Sequence, residues 1–368
     1  MKLLVAGDLF VSQPEAIKLD SSILALFSSC DYRIVNFEGP VIGSNYSNLP
    51  AKSGPRLMQP GTVVELLREL HVDALTLANN HIMDQGKDGF NKTIDALRGF
   101  TLIGAGTWDE AYRMVVIEHD GLRVGLLNFC ECQFGVLTDE WVQRHDEIGC
   151  AWVNHPRVDQ LILESKRQVD CLVAIVHAGV EMIDVPLPEW RDRYREMINL
   201  GCSAVIAHHP HVVQGYEIYK GKPIAYSLGN FCFIGGVNPP TEKWTIGALA
   251  LLNICEEGVS ISMVGCQQQK SSLSLLDDVR WKLSMSELCI LLEEGNYVKY
   301  IDEKCSRMLK DYWTLFAMGG MFVPEAMSLK NMLRIPLHRY DHVHLLNNLQ
   351  CESHRWCIIR GLKTKNKY

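Results

Sequence analysis

The chain lacks any apolar run of the roughly 20 residues that a membrane-crossing helix needs, so no integral membrane segment is expected. It also lacks a basic surplus. Lys and Arg number 36 against 43 Asp and Glu, giving a net charge of −7 at pH 7. That balance argues against binding to nucleic acid or to an anionic membrane surface. Paired cysteines at zinc-finger spacing are missing too. The 13 cysteines are scattered and odd in number, and Cys130-Glu131-Cys132 is the one close pair. A zinc finger and a disulfide scaffold are set aside, and reduced, mostly buried thiols in a cytoplasmic protein are expected. There is no internal repeat. Met1-Lys2 leads straight into a strand-like run, which reads as the absence of a leader or anchor. The 47% hydrophobic content is ordinary for a globular protein, and 368 residues suffice for one large domain or a domain with an extension.

What is present is histidine at the end of an apolar run. Residues 202–207 read as a buried strand, and Ala207-His208-His209-Pro210-His211 follows. The Pro210 ring fixes φ and disfavours helix at His209, so an extended loop is expected. Residues i and i+2 of extended backbone project alike, which aims His209 and His211 at one site. Paired imidazoles suit a divalent transition metal.

The same punctuation recurs along the chain. The run 3–6 ends in Gly7-Asp8, and 32–35 in Asn36-Phe37-Glu38-Gly39-Pro40. The run 74–78 ends in Asn79-Asn80-His81, with Asp84 and Gly86 close behind; 171–176 ends in His177-Ala178-Gly179-Val180-Glu181. Short continuous apolar runs are the mark of buried parallel strands, and in α/β proteins ligands gather at the carboxyl ends of such strands. Each element alone has an ordinary explanation, a turn or a helix cap. Together they imply one convergent site.

Helix-like stretches at 63–71, 89–97, 158–168 and 189–200 alternate with these runs, favouring an α/β fold. Short strands at 223–227, 246–255 and 259–264 suggest a second sheet packed on the first. Residues 267–272, Gln-Gln-Gln-Lys-Ser-Ser, look like a linker. The chain is therefore divided into a catalytic-type domain at 1–265 and a mostly helical extension at 266–368. Helices are expected at 277–294, 297–316 and 324–332, and a basic, frayed end at 355–368. Tyr300, Met308, Tyr312 and Leu315 fall near one helical face that needs a cover: the chain's own core, or a second subunit in a homodimer. His338, His342 and His344 read as solvated helix surface rather than a second metal site.

The strand-end motifs, with Tyr226-Ser227-Leu228-Gly229-Asn230-Phe231 after them, resemble the CapA family of poly-γ-glutamate capsule proteins, within the calcineurin-like metallophosphoesterases. The resemblance spans about the first two-thirds of the chain. It implies a four-layer αββα sandwich and a site for one or two divalent ions, Mn, Fe or Zn. By that resemblance Glu38 bridges, Asp8 and His211 serve one ion, and Asn80, His177 and His209 the other. His81 becomes the general acid or electrostatic stabiliser, Asp84 its orienting partner, and Glu181 a base within reach. Lys52 and Arg56, on the loop 49–60, bring positive charge to an anionic substrate, with His208 and Asn230 also placed among the substrate-binding residues. Asn230 alternatively satisfies backbone groups beside the cleft.

Two positions depart from the pattern. Phe10 stands where the wider superfamily has a ligand histidine, weakening one metal position. Ala178 stands where the capsule family often has Trp, which suggests more room near the ions. Three functions compete: a hydrolase of phosphoesters or of small-molecule or peptide substrates, an epimerase removing a proton beside a carbonyl, and a non-catalytic partner in capsule assembly.

Overall fold

The computed structural model describes residues 1–41, 49, 51–138, 147–235, 240–293, 295, 297–317 and 342–365, without the side chains of 310–317, 342 and 344. Two sheets face each other. In the first, of nine strands, Lys2–Val11 is central, flanked by Tyr32–Phe37 in parallel and Ile246–Cys255 antiparallel; Ala74–Thr76 and Thr101–Ile103 follow on one side. The second, of six strands, is built on Leu122–Cys130, Cys171–His177 and Ala204–His208, all parallel.

The alternation along each central strand decides the layers. Leu3, Val5 and Ile34 turn inward onto Val124, Leu126, Val173, Ile175 and Ile206 of the other sheet, forming a buried seam. Leu4, Ala6 and Val35 turn outward onto Ile23, Phe27, Val63 and Leu67 of the helices Ser21–Ser28 and Val63–Glu69. Leu172, Ala174 and Val205 likewise turn onto Val158, Ile162, Trp190 and Tyr194 of Arg157–Ser165 and Pro188–Leu200. The result is helix, sheet, sheet, helix: the expected αββα sandwich.

Several expectations are corrected. Residues 246–255 do form a strand, but with Gly258–Gln269 it widens the first sheet; it does not begin the second. The supposed linker is a tight hairpin. Strand Gly258–Gln269 turns at Lys270, in left-handed backbone (φ 54°), into Ser272–Leu275, which pairs with Lys18–Leu19. The backbone of glutamines satisfies the ladder as well as that of apolar residues does, so composition misled. The first sheet therefore runs past residue 265.

Helices follow at Asp278–Ile290, Tyr297–Ala317, His342–Gln350 and Glu352–Lys365. Tyr297, Ile301, Cys305 and Cys357 are buried in the same core as Trp190 and Tyr194, and Tyr300 and Met308 pack against it. The tail thus covers the chain's own second helix layer. Residues 355–365 do not fray; they are helix, with Ile358 and Gly361 buried. The expected helix at 324–332, His338, and the side chains of Tyr312, Leu315, His342 and His344 lie outside the described residues.

One half-buried ion network ties the second layer to its sheet. Glu217, on the strand Tyr216–Tyr219, accepts from Arg195 Nε and Nη2 at 2.7 Å, Arg191 Nη2 at 2.6 Å and the Tyr226 hydroxyl. Burial pushes its carboxyl up, but the two guanidiniums and the hydroxyl outweigh that and hold it at about 2, against an ordinary 4.5. A carboxylate depressed in this way stabilises fully above its unfolded value and ceases to do so below its folded one. Glu217→Gln is expected to lower the melting temperature at neutral pH, and that deficit should shrink as pH falls from 4.5 towards about 2. Thermal melts of both proteins across pH measure it; a deficit independent of pH would contradict the assignment.

Candidate metal centre

The site sits where strands of both sheets end. Asp8 is placed by a break in the first strand. Up to Ala6 the strand pairs with Ile246–Cys255; from Asp8 it pairs instead with Asn230–Ile234, and its register on Tyr32–Phe37 shifts between Ala6 and Asp8. Gly7 makes the crossing feasible, since a Cβ there would lie 2.1 Å from the Gly229 carbonyl oxygen. Asp8 N–H donates to that same oxygen at 3.0 Å. Glu38 follows Tyr32–Phe37 and His177 ends its own strand, paired in register with His208.

The histidine loop reaches the site differently from the expectation. His209 and His211 both have left-handed backbone, with φ of 99° and 57°. The loop is not extended, and the two rings converge because the chain coils tightly through Pro210. Such conformations cost about 1–3 kcal/mol each in non-glycine residues and persist where the surroundings enforce them.

Two groups of ligand-type atoms result. Asp8, Glu38 and His211 bring one ligand atom each within 4.8 Å of one another. His211 Nε2 is 3.6 Å from Glu38 Oε1, and its Nδ1 is 2.9 Å from Asn230 Oδ1. In the second group His177 Nε2 lies 3.0 Å from Asn80 Oδ1 and 3.1 Å from His209 Nδ1. Glu38 Oε1 lies 4.0 Å from His177 Nε2, so it stands between the groups. Asn36 donates to Asp8 Oδ1 at 2.7 Å and holds that carboxylate in place.

The donor set fits a cation. Asp8 and Glu38 have no exposed surface, and Asp8 Oδ2 and both Glu38 oxygens have no hydrogen-bond partner among the described residues. Burial, then the Asp8 charge, pushes the Glu38 carboxyl well above its usual range, while His211 is raised to about 10 by Glu38 and Asp8 despite its burial. Buried anions with unpartnered oxygens facing imidazole nitrogens are what a divalent ion satisfies.

His81 stands beside this group. Its Nδ1 is 2.6 Å from Asp84 Oδ2, the orienting contact expected, and its Nε2 is 3.9 Å from Glu38 Oε1. Lys52 is enclosed rather than free. Its ammonium donates to Asn80 O at 3.0 Å and pairs with Asp84 Oδ1, and it lies 3.0 Å from His81 Nδ1. Arg56 donates to Asp84 O at 2.9 Å. The loop's positive charge is thus turned onto Asp84 and the turn after it. A cavity of about 270 Å³ opens over His81 and His211, lined also by Lys52, Gln133, Glu181, Trp244, Asn347 and His354.

Three placements correct the sequence reading. His208 is wholly buried, 3.9 Å from Asp8 Oδ1 and away from the cavity, so it cannot meet a substrate there. Asn230 likewise does not line the cavity; besides bonding His211 it donates to Trp244 O at 3.0 Å, satisfying backbone as the alternative had it. Ala178 packs into the helix-side core, so its small size opens no room at the candidate metal site. Phe10 joins Phe233, Trp244 and Leu57 in an apolar cluster, and Trp244 covers His211 at 4.5 Å between ring centroids. Sequence reasoning missed Glu131, buried behind His209, and the tail residues Asn347 and His354. The only signal for Glu131 was its place after an apolar run, like the ligand-type residues.

The chain matches the family model of the bacterial capsule synthesis protein PGA_cap over residues 5–234. It belongs to that family. It is 30% identical over 216 residues to the PGA biosynthesis protein CapA of Bacillus subtilis (strain 168), covering 57% of this chain and 55% of that one. It is 30% identical over 214 residues to the capsule biosynthesis protein CapA of Bacillus anthracis, covering 56% and 51%. The chain therefore aligns with about half the length of these curated relatives. Among solved structures, TT1561 of Thermus thermophilus aligns over 71% of this chain and 97% of its own, at 10% identity and a TM-score of 0.38. All the ligand-type residues named above fall inside the matched span of this family. Among the described residues no helix is long and apolar enough to cross a membrane.

Elemental analysis of purified protein is expected to find about one to two divalent transition-metal ions per chain. His177→Ala and His209→Ala should lower that content. Full occupancy in both would refute the ligand assignment.

Proposed function

We propose that the chain is a metal-dependent hydrolase of an anionic substrate, a phosphoester or a polyglutamate-like peptide, serving capsule or exopolysaccharide biosynthesis. One observation carries this reading: the unpartnered carboxylate oxygens of Asp8 and Glu38 face a ring of imidazoles, with the His81–Asp84 pair alongside. Asp8, Glu38, Asn80, His177, His209 and His211 would hold one or two ions of Mn, Fe or Zn. Such ions supply Lewis acidity towards a phosphoryl or carbonyl oxygen and an acidified water.

The chain's own residues do the rest. Asp84 accepts a hydrogen bond from His81 Nδ1, leaving Nε2 turned to the cavity as the atom that exchanges a proton with substrate. Burial, and after it the Lys52 ammonium, lower the His81 pKa from 6.5, so the ring is neutral at pH 7 and free to accept. Lys52 fixes Asp84 from the other side, which keeps the carboxylate ionised and the ring oriented. The cavity, at about 270 Å³, suits one unit of a polymer or a small ester rather than a large ligand.

A second reading has its own support. Glu181 is exposed on the wall of the same cavity as His81. Two proton-exchanging groups on one cavity suit removal and return of a proton at a peptide α-carbon, an epimerisation.

Metal-loaded protein assayed on a panel of phosphoesters, γ-glutamyl peptides and α-peptides in D₂O separates these. Hydrolysis supports the first reading; deuterium entering an α-carbon without cleavage supports the second; neither would leave the non-catalytic capsule-assembly role. His81→Ala should retain metal yet lower the rate by about 10²–10⁴-fold. Loss of metal in that variant would make His81 a ligand and overturn its role.

A further inference from the structure

We propose that Asn347, supplied by the C-terminal tail, sets substrate specificity by pairing its carboxamide with an amide group of the substrate, so that the cavity takes an amide-linked chain rather than a simple phosphoester. The proposal rests on the reading of this cavity as the substrate site. Its test measures binding and needs no turnover.

The helix His342–Gln350 lies outside the family-matched residues 5–234. Two asparagines follow one another in it, and the structure uses them differently. Asn348 is buried, and its Oδ1 accepts from His354 Nδ1 at 2.7 Å, which holds that imidazole on the cavity wall. Asn347 is only 8% exposed and lines the cavity too, but its carboxamide has no hydrogen-bond partner among the described residues. Its backbone carbonyl is engaged by Cys351 N–H at 2.8 Å, so the side chain is what the residue offers a ligand. Asparagine is a poor choice inside a helix, where its amide tends to compete for backbone groups. Here the amide is spent on none of them.

Gln133 brings a second carboxamide to the same wall. Its Nε2 donates to Glu131 Oε1 at 3.1 Å and lies 3.2 Å from His209 Nε2, which leaves Oε1 as the atom open to a donor.

The charge on the wall decides what these amides can meet. Among the described residues Lys52 is the one Lys or Arg that lines the cavity, and its buried ammonium is spent on Asp84 and Asn80 O. Glu181, on the same wall, is exposed. Beyond the candidate metal centre an anionic group would therefore meet a carboxylate and no unengaged cation. An ionised phosphate or carboxylate offers acceptors only, so it would serve Asn347 Nδ2 and leave Oδ1 without a donor. An amide-linked chain carries both N–H and C=O and serves both atoms. In the free protein water can reach this carboxamide. A substrate group that displaces such water must replace its hydrogen bonds or bind more weakly, and this selects for the amide.

The helix carries the wall onward. Val343, Leu346 and Gln350 fall near the face of Asn347 by helical spacing. With Gln133 and Phe134 they line an adjoining cavity of about 240 Å³, and those last two residues belong to both cavities. No charged residue lines this second space among the described residues. A chain held at Asn347 thus has room for a further, uncharged unit.

Calorimetric titrations of the full chain with Mn²⁺ added test this. The probes are the tripeptide γ-Glu-Ala-Ala, its two ester analogues, each with one amide N–H replaced by oxygen, and phenyl phosphate. The wild type should bind one ester analogue about 10-fold more weakly than the tripeptide, the effect of leaving one hydrogen-bond acceptor unpaired. In Asn347→Leu, similar in size and a better helix former, the tripeptide should bind as weakly as that analogue, so that the gap closes. Phenyl phosphate should bind both proteins alike, and metal content should be unchanged. Asn347→Ala replaces the leucine variant if that one does not fold. A gap that persists in the variant, equal affinity of the wild type for all three peptides, or no binding of any of them would overturn the proposal. So would an equal loss of phenyl phosphate affinity in the variant, the mark of a merely structural role. If the gap appears and closes as expected while the metal-loaded protein cleaves nothing, the hydrolase reading falls and this one stands.

Discussion

Asp8 and Glu38 are carboxylates without exposed surface, and three of their oxygens, Asp8 Oδ2 and both of Glu38, lack hydrogen-bond partners among the described residues. Leaving buried charge uncompensated costs several kcal/mol per ion. A chain under no functional demand would replace these residues with apolar ones. The rest of the site is arranged about this deficit. His211 is drawn to the carboxylates and held there by Asn230, while Asn36 pins Asp8 from beneath. A divalent cation between these carboxylates would meet that cost, and this is why the arrangement points to metal chemistry.

Meeting that demand strains the backbone. The first strand changes partner at Gly7, where a side chain would collide with the Gly229 carbonyl. His209 and His211 occupy left-handed conformations. The apolar layers on both faces of each sheet are regular and continuous, and they supply the stability that such local costs draw on. The strain is confined to the strand ends, so the sandwich itself stays unperturbed.

The sequence makes the strands and their ends legible because buried parallel strands have an unmistakable apolar pattern, and polar residues just after them stand out. The convergence of Asp8, Glu38, Asn80, His177, His209 and His211 was readable for that reason, whereas the four αββα layers followed from the family resemblance. What was not readable depends on contacts between distant residues. Gln267–Gln269 looks like linker and is strand, because its hydrogen bonds go to Ser272–Leu275. Lys52 looks like a surface cation and is buried against Asp84, since the loop 49–60 folds inward. His208 looks equivalent to its neighbours, yet the pleat sends it behind Asp8. The left-handed turn at Pro210 has no signature, as nothing but the surrounding structure demands it.

The tail gives the sharpest case. Every ligand-type residue comes from the family-matched span, whereas Trp244, Asn347 and His354, on the cavity wall, come from beyond it. No local pattern distinguishes these three from ordinary core or helix residues. Asn347 and His354 reach the cavity because the helices from Asp278 onward bury Tyr297, Ile301, Cys305 and Cys357 against Trp190 and Tyr194, which leaves the start of the last helix beside Glu131; Trp244 reaches it from the turn before the strand Ile246–Cys255. A ligand in the cavity therefore touches two kinds of surface at once. One is formed by strand ends within the family-matched span; the other follows from how this particular tail docks. Reaction type belongs to the first surface, and the shape a substrate must have belongs in part to the second, so two chains alike over residues 5–234 need not share a substrate.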